Sequence, residues 1–271
     1  MHRSFIILVG ALTAFGIGAA TAPELTADQI VDRYVEARGG IEAWRKIQTM
    51  AWTGHIESGP AGSPAVPFLM LFKRPNQTHY EVLMQNQKSL RIFDGSQGWK
   101  LRPTAQGAPE AQIYTPDEVS FARDACGLDG PLVDYKAKGV TVALRGTGMV
   151  EGHRAYRLQV TLPSGQSHDD WIDAQNFLEL KYDRVVHDTA GQSGVVSVYY
   201  RNYQTIKGLV MPFTIETGGA ATKATDRMII EKFAINPTLD DAQFARPAVA
   251  SRHRNGVPID TRTPSAPAAM H

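Results

Sequence analysis

The chain is 271 residues long, and its 43% apolar and 20% charged residues are a globular balance that excludes a disordered protein. Lys and Arg total 28 against 27 Asp and Glu, and a formal charge of +1 leaves no electrostatic footprint for a nucleic-acid partner. One cysteine, Cys126, excludes an internal disulfide and any multi-cysteine zinc or iron–sulfur site.

Residues 1–20 read as a signal peptide. His2 and Arg3 precede the apolar run Phe5 to Leu12, and small residues continue to Ala20. Cleavage after Ala20 is expected, because Pro23 disfavours a cut after Ala22. The competing reading is an uncleaved anchor, against which Gly10, Gly16 and Gly18 dilute a run already short for a span. No cysteine near the segment offers itself for acylation, and no later segment is apolar enough to cross a bilayer, so a soluble exported protein is expected.

Thr26 and Gln29 have capping-box spacing ahead of a helix whose Ile30, Val31, Tyr34 and Val35 share one face. Gly39-Gly40 ends it, and Ile41, Trp44 and Ile47 stripe a second, shorter helix. From Gln48 the period becomes two. Tyr80, Val82 and Met84 alternate with polar neighbours, as do Leu90 and Ile92, and Trp99 and Leu101 beyond the Asp94-Gly95 turn. The same holds for Tyr156, Leu158, Val160 and Leu162; for Leu178, Leu180 and Tyr182 against Glu179, Lys181 and Asp183; and for Leu209, Met211, Phe213 and Ile215. One apolar and one polar face per strand is the signature of antiparallel sheets with a solvated side. Val66 to Phe72 and Val195 to Tyr200 are apolar on both faces and predict cover on both sides. Roughly a dozen strands fall within 48–57, 65–73, 78–103, 140–187, 194–217 and 227–235.

Between the strands, Thr115, Pro116 and Glu118 open a helix carrying Val119 and Phe121. A further helix is expected from Pro131 through Lys138, stopped by Gly139, and a last turn over Asp240 to Phe244. Residues 248–271 lose periodicity and are expected to be a disordered tail. No composition break divides residues 21–247, which read as one domain. So few helices cannot cover so many strands as full layers. The pattern predicts a mostly β protein, a curved antiparallel sheet forming an open β-half-barrel, with helices over its concave face.

Catalytic signatures are missing: there is no nucleophile elbow, zinc-protease helix, phosphate loop or dinucleotide fingerprint. Gly146-Thr147-Gly148 lacks a third glycine and a following helix and reads as turn chemistry. His168 and Asp170 would share a strand face and could, with His187, ligate iron; the blander reading is a solvated edge beside a buried Trp171 or Ile172. Cys126 has acidic neighbours, Asp124 and Asp129, and reads as a buried structural thiol rather than a nucleophile. No catalytic residue, metal or cofactor is expected.

Several segments together resemble one family. They are Ala27 through Ile41; Phe93-Asp94-Gly95-Ser96-Gln97-Gly98-Trp99; Gly130 through Tyr135 with Lys138-Gly139; Val150 through Tyr156; Trp171-Ile172-Asp173 before Leu178; Tyr203 through Pro212; and Asn236-Pro237 with Asp240 through Phe244. In order and spacing over residues 25–247 they are similar to the LolA-like outer-membrane lipoprotein-sorting proteins. The resemblance implies a half-barrel in the periplasm that holds acyl chains of a lipoprotein in an apolar space and passes it to an outer-membrane receptor. No latch arginine or receptor-contact loop aligns, and without a lipobox cysteine the chain is not a LolB-type anchored receptor.

The expected function is therefore a non-enzymatic periplasmic carrier of acylated lipoprotein or lipid, with possible inner- and outer-membrane partner proteins. Its acyl-burying residues would be Phe68, Met70, Tyr80, Val82, Met84, Ile92, Trp99, Leu158, Val160, Leu180, Tyr182, Met211 and Phe213, with Ile30, Tyr34 and Trp44 on the covering helices. Two rivals stay open: an envelope interaction or sensor module with a filled sheet, and a metal enzyme built on His168 and Asp170.

Overall fold

A computed structural model describes residues 25–59, 62–84, 87–102, 111–125, 127–187, 193–219 and 226–248. The expected signal peptide, residues 249–271 of the expected tail and Cys126 lie outside the described residues. The chain opens with α1 (Ala27–Ala37) and α2 (Ile41–Arg45). Strands β1 (Thr49–Ser58), β2 (Val66–Lys73), β3 (Gln77–Met84), β4 (Gln87–Phe93), β5 (Gly98–Leu101) and β6 (Ala111–Ile113) follow, then α3 (Pro116–Asp124). The second half is β7 (Thr141–Val150), β8 (His153–Thr161), β9 (Ser167–Asp173), β10 (Glu179–His187), β11 (Ser193–Ile206), β12 (Leu209–Gly219) and β13 (Asp226–Ile235), closed by a 3₁₀ turn, Asp241–Phe244.

All 13 strands form one antiparallel sheet in the order β6-β5-β4-β3-β2-β1-β13-β12-β11-β10-β9-β8-β7, which curves without closing. The expected open half-barrel is the observed fold. Its first half runs outward hairpin by hairpin from β1 to β6, and its second half returns from β7 to β13, which pairs with β1 at the centre. Local chemistry makes the turns. The Asp94 carboxylate accepts from the amides of Ser96 and Gln97, both at 2.8 Å, and Glu151-Gly152 and Lys207-Gly208 both take the positive φ of tight hairpin turns.

This order has a steric consequence. β6 and β7 are consecutive in sequence yet occupy opposite edges, so residues 114–140 must traverse a face of the sheet. They cross the concave one, on which α1 and α2 also pack. Leu128 and Val133 enter a core with Trp44, Met50, Phe68, Phe72, Val82, Met211 and Phe233. Leu132 and Tyr135 join Ile30, Val31, Tyr34, Leu158, Val160 and Ile172 in a second. The expected helix at Pro131–Lys138 is instead a run of turns, because Asp134 adopts a left-handed φ of 53° and ties its carboxylate to Arg45. Both capping boxes form as the spacing predicts, Thr26 with Gln29 and Thr115 with Glu118.

The 3₁₀ turn covers the other face: His79 Nδ1 lies 2.7 Å from the Gln243 carbonyl and Lys73 pairs with Asp241, while Phe244 is fully buried. Two expectations are corrected by this register. Ile92 pairs with His79 and Trp99, whereas Tyr80 pairs with Arg91 and Met70, so Ile92 and Trp99 lie on the face opposite Phe68, Met70, Tyr80 and Val82. Both faces of this half-sheet are covered, so an apolar residue is no guide to which face is concave.

Candidate functional site

The site begins where α1 ends. Gly39 has φ 109°, and a Cβ there would stand 2.2 Å from the carbonyl oxygen of Gly208, so only glycine lets the helix end rest on the β11–β12 turn. That approach fixes Arg38, which is buried. Its backbone carbonyl accepts from Val210 N at 3.2 Å and from Trp44 Nε1 at 3.2 Å. Its guanidinium donates to the Val210 carbonyl at 2.6 Å, to Tyr34 Oη at 2.8 Å and to Met211 Sδ at 3.5 Å, and lies over the rings of Tyr34 and Trp44. A buried cation thus stands on the concave side with neutral hydrogen-bond partners only.

The sheet supplies carboxyls to the same space. Pairing of Leu158 with Asp170 and of Val160 with His168 turns Asp170 and His168 to the concave face with the buried apolar residues of β8. Asp170 pairs onward with Tyr182. The solvated-edge expectation for His168 and Asp170 is corrected: Asp170 is 2% exposed, and His168 is half-buried. The regular alternation in β10 then breaks. Glu179 opposes Ile172 while Lys181 opposes Trp171, a bulge at Leu180. It swings Glu179 onto the concave face beside Tyr182, against the alternation that grouped it with Lys181 and Asp183 and put Leu180 inside; Leu180 is half-buried and unpaired in the β9 ladder.

These groups line a cavity of about 320 Å³ between the sheet and the crossing segment, at the lower end of small-molecule pockets, roughly 300–1,000 Å³. Its floor is Tyr34, Arg38, Asp170, Glu179, Tyr182, Tyr200 and Tyr203, with Trp52, Met211 and Ile215 beside them. Gly127 to Leu132 and Leu162 flank it, and Phe121, Arg184 and Val185 also border it. Phe121 and Val185 are more than half exposed, so the cavity has apolar residues at its solvent side. A separate groove of about 490 Å³ runs between α1 and residues 132–137, but exposed Asp32, Glu36, Lys136 and Ala137 line it and the sheet does not.

The floor is electrostatically unsettled. Burial pushes the Glu179 carboxyl well above its ordinary 4.5, with the charge of Asp170 adding to the rise and Arg38 opposing it. Asp170 is raised by burial too, against the pull of His168. His168 is lowered by burial but raised on balance by the Asp170 carboxylate. Burial also raises the hydroxyls of Tyr182, Tyr200 and Tyr203. His168 Nε2 lies 3.1 Å from Asp170 Oδ1, but not in hydrogen-bonding alignment, and that oxygen is without a hydrogen bond. Trp52 Nε1 and Arg184 Nε, at the same cavity, are also buried without one. Among the described residues, no three His, Cys, Asp or Glu converge as metal ligands, and the His187 side chain lies outside them.

Of the acyl-burying residues expected from sequence, Tyr34, Tyr182 and Met211 border this cavity, as do His168 and Asp170, the candidate metal ligands. Phe68, Val82 and Trp44 are packed in the first core, with Met70, Tyr80 and Phe213 against it. Ile30, Leu158 and Val160 are closed off in the second. The Met84 side chain lies outside the described residues. Missed were Arg38, Glu179, Tyr200 and Tyr203. The Gly39-Gly40 stop marked where Arg38 would sit, and the doubly apolar run ending at Tyr200 marked that strand as covered.

No family model matches the chain, and no curated protein matches it. Solved structures do resemble it. A LolA superfamily protein from Nitrosomonas europaea superposes with a TM-score of 0.53 at 14% identity, covering 82% of this chain and 98% of that one. A DUF1329 family protein from Desulfovibrio piger gives 0.53 at 12% identity, covering 81% and 97%. The chain has the LolA-like fold.

Proposed function

We propose that this protein is an exported, non-enzymatic carrier that takes an acyl chain of a lipoprotein or lipid into the cavity on its concave face. The cavity under the crossing segment, open past Phe121 and Val185, is the observation that carries this reading. Each buried methylene contributes about 0.8 kcal/mol, so a single chain is held without catalysis or cofactor. The LolA-like fold supports the same class, with the periplasm as compartment and membrane-bound partners for loading and release. Among the described residues, no helix is long and apolar enough to cross a membrane.

Titration with an uncharged fluorescent probe, a fluorescent fatty-acid methyl ester, tests the carrier reading. Saturable uptake of one probe per chain is expected, and the absence of saturable binding overturns it.

A second reading, an interaction module with a filled sheet, is favoured by the close packing of Phe68, Val82, Leu158 and Val160. Met211 separates the two because it borders both core and cavity. In the carrier, Met211→Trp fills the space, folds normally and loses the probe. In a filled sheet it overpacks and costs about 1–3 kcal/mol of stability.

A further inference from the structure

The geometry points to a lipid with one apolar chain whose head group bears a primary ammonium or similar hydrogen-bond-donating cation, seated with that cation between Asp170 and Glu179. This rests on the carrier reading and adds the chemistry of the head group. Asp170 is 2% exposed and borders the cavity, and its Oδ1, 3.1 Å from His168 Nε2, receives no aligned hydrogen bond. Glu179 borders the same space, and no described side chain donates to its carboxyl, although its backbone carbonyl accepts from Tyr203 Oη at 2.9 Å.

Arg38 makes no hydrogen bond to either carboxyl. Arg38 spends its guanidinium on the Val210 carbonyl, Tyr34 and Met211. A buried acceptor left unmatched carries its full desolvation cost, so a ligand that supplies the donor recovers it. An ammonium brings three donors and a charge, enough for both carboxyls and a tyrosine hydroxyl. A fatty-acid head would instead place a third carboxyl beside two. The chain would run toward Leu128, Leu162 and Phe121, away from the floor.

Groups facing the head set its pH dependence. From β9, His168 stands 3.1 Å from Asp170; from β10 come Tyr182 and Arg184; from β11, Tyr200 and Tyr203; from α1, Tyr34 and Arg38; and from α3 and the crossing segment, Asp124 and Asp129. Protonated His168 competes with the ligand for Asp170, and a protonated Glu179 offers it no charge. Seating an ammonium therefore releases protons, and affinity rises with pH until both groups are deprotonated.

Decylamine, decanol and decanoate, each displacing the fluorescent probe from the full chain, test the assignment. At about pH 8 decylamine should bind roughly tenfold or more tightly than decanol, the scale of a hydrogen bond to a charged group. The advantage should shrink at about pH 5.5, and Asp170→Asn and Glu179→Gln should each reduce the ratio of decylamine to decanol affinity, with circular dichroism reporting the fold. Decanol or decanoate binding as tightly as decylamine, or an advantage that survives in both variants, overturns the head-group assignment and leaves the carrier intact. If the probe itself does not bind saturably, the carrier reading fails.

Discussion

Arg38 is held by backbone rather than by an opposite charge: its carbonyl and guanidinium both engage Val210, and this is possible because Gly39 lets α1 approach the β11–β12 turn without a side chain between. Gly39→Ala combines a left-handed φ with a clash against a carbonyl oxygen, so it should lower stability by at least about 1 kcal/mol, read as an earlier urea midpoint. An unchanged midpoint would mean that the helix end does not rest on Gly208. Glu179 makes a second residue-level prediction. Its carboxyl is raised by burial above the 4.5 of an unfolded chain, so the folded state keeps a proton that the unfolded state releases. This contribution is whole below that value and is lost as pH rises through the folded value. Asp170 and His168, also raised on balance, act in the same direction. Stability should therefore fall as pH rises above the acid range, and Glu179→Gln should flatten the fall. An identical slope in wild type and variant would contradict the burial of that carboxyl.

At the scale of elements, the two faces of the β2–β5 half-sheet differ in what covers them. Ile92 is buried on the face carrying the 3₁₀ turn, away from the cavity. Ile92→Ala should cost about 2–5 kcal/mol, as large-to-small core changes do, and leave probe affinity unchanged; weaker binding in folded variant would place Ile92 inside instead. The strands and caps were legible in the amino-acid order because alternation, Asp-Gly turns and capping boxes are local signals. The site was less so. Alternation tells which residues share a face but not which face is concave, so Ile92 and Trp99 were grouped with Tyr80 and Val82. The bulge at Leu180 leaves no local mark, yet it exchanges a carboxylate for a leucine at the floor. His168 and Asp170 were rightly placed on one face, and only the long-range pairing with Val160 and Leu158 shows that this face is the covered one.

For the whole molecule, the strand order itself makes the binding architecture. Because the chain leaves one sheet edge at β6 and re-enters at the other with β7, the connecting segment has to span the concavity. Leu128, Leu132 and Val133 tie that segment into both cores, while Phe121 and Val185 stay exposed where the cavity meets solvent. The result is a half-barrel mostly filled by its own cover, retaining among the described residues a space of about 320 Å³ with walls of mixed polarity and a polar floor. A space of this size suits one chain of a cargo rather than several. Native mass spectrometry with lipid extraction, on protein purified from its own cell envelope, tests the central claim most directly. One co-purifying acyl species per chain is the predicted result; an empty protein that also takes up no added lipid would contradict the account.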